Sequence, residues 1–128
     1  MTLWAIARSP LIMGGDLRHL DEPTLALLTN REVLAVNQAS TANQPHFIAD
    51  GMRIWSARPA GGKPGERYLA LFNTTEKAKL VGLPLRDLGL PGTVAARDLW
   101  TGETLGRLSG RAERTLPPHG AALLRLSA

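Results

Sequence analysis

Residues 4–18 read W-A-I-A-R-S-P-L-I-M-G-G-D-L-R. The run Leu11, Ile12 and Met13, preceded by Pro10 and followed by Gly14 and Gly15, is continuously apolar and short, which predicts a strand buried on both faces rather than a half-exposed one. Such a strand needs parallel neighbours and helices on both sides, and no other strand–helix–strand unit is legible in the 128 residues. The opening therefore reads as the last repeat of a larger barrel whose other repeats lie outside this chain.

Around that stretch the pattern is helical. Thr2 to Arg8 reads as the end of a helix, with Trp4 and Ala5 as packing residues. Asp21 is a good N-cap and Pro23 suits a first turn, which predicts a helix over 22–28 with Leu25, Leu27 and Leu28 as its buried stripe. Thr29 with Glu32 three residues on has the form of a capping box and predicts a second short helix through Val33, Leu34 and Val36. From Ala39 to Pro45 the sequence is polar and without period, and residues 39–46 are expected to be a linker.

Beyond Phe47 the pattern is antiparallel β. Met52, Ile54 and Ser56 alternate with Arg53, Trp55 and Ala57, and the Gly/Pro-rich stretch 60–65 joins this run to Arg67–Asn73 as a hairpin. Further strands are expected over 77–85, 93–99, 104–108, 111–116 and 121–126, the last with Leu124 and Leu126 on one face and Leu123 and Arg125 on the other. Seven or eight short strands at this spacing predict a small Greek-key-like sandwich. The fold class is α+β, with residues 1–38 as a barrel remnant and 47–128 as an all-β sandwich.

Composition narrows the function. Apolar residues make up 44% of the chain, enough for a core, and there is no cysteine, so disulfides and thiolate metal sites are excluded. The net charge is +4, but the fifteen basic residues, twelve of them arginine, are scattered among acidic ones. Nucleic-acid binding needs a basic stripe with stacking aromatics, which is not seen. No run is long enough to cross a membrane, and the apolar start lacks the positive flank and cleavage site of a secretory signal, which leaves the compartment unassigned.

The run L-W-A-I-A-R-S-P-L-I-M-G-G-D-L-R, followed by L-A-L-L-T-N-R-E-V-L-A-V-N-Q and later by R-Y-L-A-L-F-N and D-L-W-T-G-E, resembles the C-terminal third of α-galactosidases of glycoside hydrolase family twenty-seven. The resemblance spans Thr2 to Ser127. It implies that Pro10 to Gly15 corresponds to the eighth strand of a (β/α)8 barrel, Glu22 to Asn37 to the helical region after it, and Phe47 to Ala128 to the antiparallel C-terminal domain. Members of that family are retaining enzymes with two carboxylates about 5–5.5 Å apart. The resemblance places the nucleophile in a Lys-Tyr-Asp motif and the acid/base in a second aspartate, both upstream of the matched segment. The single tyrosine, Tyr68, lies between Arg67 and Leu69, so no catalytic residue is assigned here.

Among the residues present, Asp16 follows the barrel-like strand at the end where barrels carry active sites, and Met13, Gly14 and Gly15 stand beside it. These four are the candidate substrate-binding rim. Against that stands a simpler role, Asp16 fixing a turn or pairing with a nearby cation and the others packing a strand end. Trp55 and Trp100 are candidates for stacking on sugar rings, or core plugs at strand ends. Asp98 and Glu103 read as surface charges of a hairpin. His19, His46 and His119 are isolated, so neither a metal nor a cofactor is expected. Three functional readings follow: the C-terminal portion of an α-galactosidase-like enzyme, inactive alone and acting on α-galactosides only when intact; a stand-alone glycan- or protein-binding sandwich; or a non-functional truncated reading frame. In the first and third, unpartnered apolar faces seek the missing barrel or a second copy.

Overall fold

The computed structural model describes the backbone of all 128 residues and the side chains of all but Phe47 and Ile48. Three short helices, α1 (Thr2–Ile6), α2 (Glu22–Leu28) and α3 (Arg31–Gln38), precede eight strands. The strands are β1 (Ser40–Ala49), β2 (Met52–Pro59), β3 (Glu66–Asn73), β4 (Lys79–Pro84), β5 (Thr93–Asp98), β6 (Thr104–Ser109), β7 (Arg111–Leu116) and β8 (Ala121–Ser127), with a 3-10 turn over Leu85–Leu88. A six-stranded sheet has the order β1-β2-β3-β8-β5-β6, and β4 pairs with β7 in a second sheet. All pairings are antiparallel. The chain crosses between the sheets after β3, β4, β6 and β7, which carries β8 back between β3 and β5.

The period-two pattern of the central strands explains why both faces of the large sheet are covered. In β3, Leu69 and Leu71 enter the core between the two sheets with Ile54, Val81, Leu83, Leu124 and Leu126, while Tyr68 and Ala70 point the other way. There they meet Leu123, Leu99, Ala5 and Ile6 of α1, and Val33 and Val36 of α3. Thus α1 and α3 roof the outer face of the sheet. Within the small sheet, Gly82 of β4 faces Glu113 of β7, and a Cβ at residue 82 would stand 2.3 Å from the Ala112 carbonyl oxygen, so only glycine fits.

Four expectations are corrected. Residues 40–46, expected in a linker, are the first part of β1. This is an edge strand with register shifts between Thr41 and Gln44 and between Pro45 and Phe47, and an edge tolerates polar residues and a proline because one row of its backbone groups needs no partner strand. Its turn is Asp50-Gly51, with φ of 49° and 69°, the arrangement of a tight primed hairpin. Second, Leu11–Met13 forms no strand, since no neighbour offers its backbone hydrogen bonds. Third, α2 is capped as expected by Asp21, which accepts from the Thr24 N–H at 2.8 Å, but buries nothing, Leu25 and Leu27 being 48% and 39% exposed; Trp4, on the outer side of α1, is 58% exposed. Fourth, the cap of α3 is Asn30 rather than Thr29. Its side-chain oxygen accepts from the N–H groups of Glu32 and Val33, and its amide donates to the Leu99 carbonyl at 2.9 Å. That frees Glu32 to take a forked pair of bonds from Arg97 of β5, Nε to Oε1 at 3.0 Å and Nη2 to Oε2 at 3.1 Å, tying α3 to the sheet.

Candidate functional site

The helical opening concentrates the exposed apolar side chains. Among the described residues, the large apolar side chains left exposed are Leu3, Trp4, Ile12, Met13, Leu17, Leu25, Leu27 and Leu80, and seven of these eight lie within residues 3–27. Beside them is a cleft of about 190 Å³ between α1, the segment after it and the facing sides of α2 and α3, lined by Trp4, Leu11, Ile12, Met13, Leu28 and Leu34. Local bonds hold this surface in shape. Arg8 ends α1 in the left-handed region, with φ of 53°. The Asn37 side chain of α3 donates to the carbonyls of Trp4 at 3.1 Å and Ser9 at 2.8 Å, while Arg8 Nε donates to the Asn37 carbonyl at 3.2 Å. Asn37 therefore fixes the end of α1 through Ser9, a role that no motif of the sequence announces.

The proposed rim residues are brought to one place. Residues 12–19 are all exposed, and a Cβ at Gly14 or Gly15 would meet nothing within 4 Å. Asp16 closes its own turn: its carboxylate accepts from Arg18 N–H at 3.0 Å and Arg18 Nε at 3.0 Å, and lies 2.8 Å from His19 Nδ1. The bonds from Arg18 and then His19 lower its pKa from the ordinary 3.8 to about 2. A carboxyl so tuned is an anion at any physiological pH and has no proton to give a leaving group. The stabilisation of this turn is present above the unfolded carboxyl's pKa and is lost as pH falls toward 2. A carbon-13 titration of the Asp16 carboxyl should find its midpoint near 2; a midpoint at 3.8 would mean that the turn does not persist in solution.

The two tryptophan candidates lie elsewhere. Trp55 and Trp100 are half-buried against the outer core, and Trp100 Nε1 donates to Thr2 Oγ1 at 2.9 Å, latching α1 to the turn after β5. Asp98, read as a surface charge, is buried, and its carboxylate accepts from the N–H groups of Trp100 and Thr101. Among the described residues, each isolated histidine ring has one side-chain hydrogen-bond partner: Asp16 for His19, Ser56 for His46 and Glu76 for His119.

The sequence profile described as the alpha galactosidase C-terminal beta sandwich domain matches residues 49–126, more than half of the chain. The chain belongs to the α-galactosidase family. A second profile, described as alpha galactosidase A, matches residues 1–39. An α-galactosidase of Coffea arabica is 33% identical over 131 aligned residues, covering 98% of this chain and 34% of the relative. Among solved structures, a GH27 β-L-arabinopyranosidase from Geobacillus stearothermophilus superposes with a TM-score of 0.92 at 41% identity, over 99% of this chain and 28% of that one. The α-galactosidase I of Mortierella vinacea gives 0.85 at 27% identity, over 98% and 33%. The chain spans about a third of the length of the curated relatives it matches. Within the α-galactosidase family its fold is that of a short barrel-end segment followed by the C-terminal β-sandwich.

Proposed function

We propose that this chain is the C-terminal portion of an α-galactosidase-like retaining glycoside hydrolase, in which residues 1–38 complete a catalytic barrel and residues 47–128 brace it. In that reading Met13, Gly14, Gly15 and Asp16 stand at the rim of the sugar pocket of the intact enzyme, the carboxylate pair lies in the barrel segments before this portion, and the chain by itself hydrolyses nothing. The observation that carries the reading is the grouping of seven exposed apolar side chains within residues 3–27, directly beside helices whose other sides enter the core. A face of that kind calls for a partner surface. The names of the relatives supply the substrate class, α-galactosides or β-L-arabinopyranosides, two sugars that share ring stereochemistry and differ by a hydroxymethyl group. Incubated with the nitrophenyl derivative of each, the purified chain should release no nitrophenol above the blank. Turnover that scales with protein and survives a second purification would overturn the proposal.

A further inference from the structure

A second cleft, of about 250 Å³, opens on the opposite side of the sheet from the helices, lined in part by Gln44, His46, Ser56, Arg58, Arg67 and Asp87. It lies on the inner face of β1, β2 and β3, beyond the area that β4 and β7 cover. The alternation that sends Ile54 into the core also sends Ser56 and Arg58 to this side, and Arg67 shares the side of Leu69 and Leu71. Polar residues thus occupy positions that a sandwich normally fills with apolar ones. The cleft is smaller than the roughly 300–1,000 Å³ of drug-sized sites, a size suited to one ion or one sugar ring.

Arg67 is the unusual member. It is only 9% exposed, yet among the described residues its guanidinium meets no carboxylate. Nε donates to the Leu88 carbonyl at 3.1 Å, and Nη1 to the carbonyls of Pro64 and Glu66, both at 2.8 Å. A guanidinium has five N–H donors. Three are used, and the remaining two, both on Nη2, have no hydrogen-bond partner among the described residues. The acid next to it in sequence, Glu66, is taken by Arg125 at 2.8 Å and by the Lys63 N–H. Burial, then the charge of Arg58, lower the Arg67 pKa. Arg58 is itself exposed and has no ion-pair or hydrogen-bond partner among the described residues. The buried donors of Arg67 are thus all satisfied by carbonyls, and Nη2, the one nitrogen without a partner, is not sealed from solvent but opens on the cleft, where the charge of Arg58 also acts on it.

We propose that this cleft binds a small oxyanion, a carboxylate, sulfate or phosphate group, bridged between Nη2 of Arg67 and the guanidinium of Arg58, with Ser56 and Gln44 as neighbouring hydrogen-bonding groups. The three carbonyls hold the Arg67 fork rigid, so little side-chain freedom is lost on binding. Asp87 lines the same cleft and repels an anion. It and His46, whose ring bonds Ser56, also line the adjoining cleft toward Met52 and Arg111, so both are shared between the two clefts. The two guanidinium groups outnumber that one carboxylate, and the anion is placed against them. Gly89, whose φ is 64°, leaves room there, since a Cβ at that position would come 3.7 Å from Nη2.

The test titrates the 128-residue chain at low salt with sodium sulfate, sodium galacturonate and neutral galactose, following heat and the Arg Nε–Hε resonances. Sulfate and galacturonate should each bind saturably, with affinity weakening as chloride is raised, and galactose should not bind. Equal affinity for the two anions identifies a free-ion site, and galacturonate bound about tenfold tighter, a difference of roughly 1.4 kcal/mol, identifies an acidic sugar. Arg58→Ala, at an exposed position that leaves the core untouched, should weaken both by about tenfold or more, and Arg67→Gln should abolish binding where that variant folds. Absence of saturation up to about 50 mM, which leaves any affinity weaker than the millimolar range, overturns the proposal, as does unchanged binding in Arg58→Ala or equal binding of galactose.

Discussion

Expressed by itself, the 128-residue chain should self-associate, and the triple variant Trp4→Gln, Ile12→Ser, Met13→Ser should sediment as a monomer. These side chains are 58%, 87% and 45% exposed and line one cleft with Leu11, Leu28 and Leu34. Burying a large apolar side chain contributes roughly 1.5–3 kcal/mol, so three of them acting together outweigh much of the entropy lost when two copies meet. Leu80 provides the control: it is 54% exposed but stands alone on β4, so Leu80→Ser should leave association unchanged. Sedimentation velocity across a dilution series reads the result. A parent chain that remains monomeric at the highest concentration would show that the surface is closed in solution.

The largest single-residue effect on stability is expected at Leu124. It is fully buried on β8, between β3 and β5, where it pairs with Leu69 on one side and Asp98 on the other. Leu124→Ala should cost about 2–5 kcal/mol, through lost burial and the cavity left behind. Small domains have only about 5–15 kcal/mol in total, so this is a large share. Leu27→Ala, by contrast, should change stability by less than about 0.5 kcal/mol, since α2 buries no residue. Urea unfolding of the two variants makes the comparison, with the slope held constant as the check on two-state behaviour. Equal midpoints would contradict the packing described.

Most strands were legible in the residue order because their causes are local. Alternation marks β2, the apolar runs Tyr68–Phe72 and Ala121–Leu124 mark β3 and β8, and the glycines at 102 and 110, both with positive φ, lie in the turns between β5 and β6 and between β6 and β7. The edge strand β1 escaped because its residues are polar; Asp50-Gly51 was its one readable signal. The apolar run at Leu11–Met13 misled for the converse reason: a strand exists only where another backbone pairs with it. At the site, Asp16 could be placed from its neighbours, since Arg18 and His19 lie two and three residues away. Arg67 could not. Its environment comes from Leu88, twenty-one residues on, and from a strand crossing that no local pattern encodes.

The order of residues thus carried the family, the antiparallel sandwich, the helix cap at Asp21 and the turn chemistry, all of which depend on groups a few bonds or one strand period apart. What tertiary contacts decided was burial: that Ala5 and Ile6 of α1 enter a core while Trp4 does not, that Leu124 is sealed while Leu27 is bare, and that Arg67 is buried with its guanidinium held by carbonyls. Two leucines look alike in a sequence. Their energetic worth differs because removal from water is a property of the surfaces that meet, and those surfaces come from residues far apart along the chain.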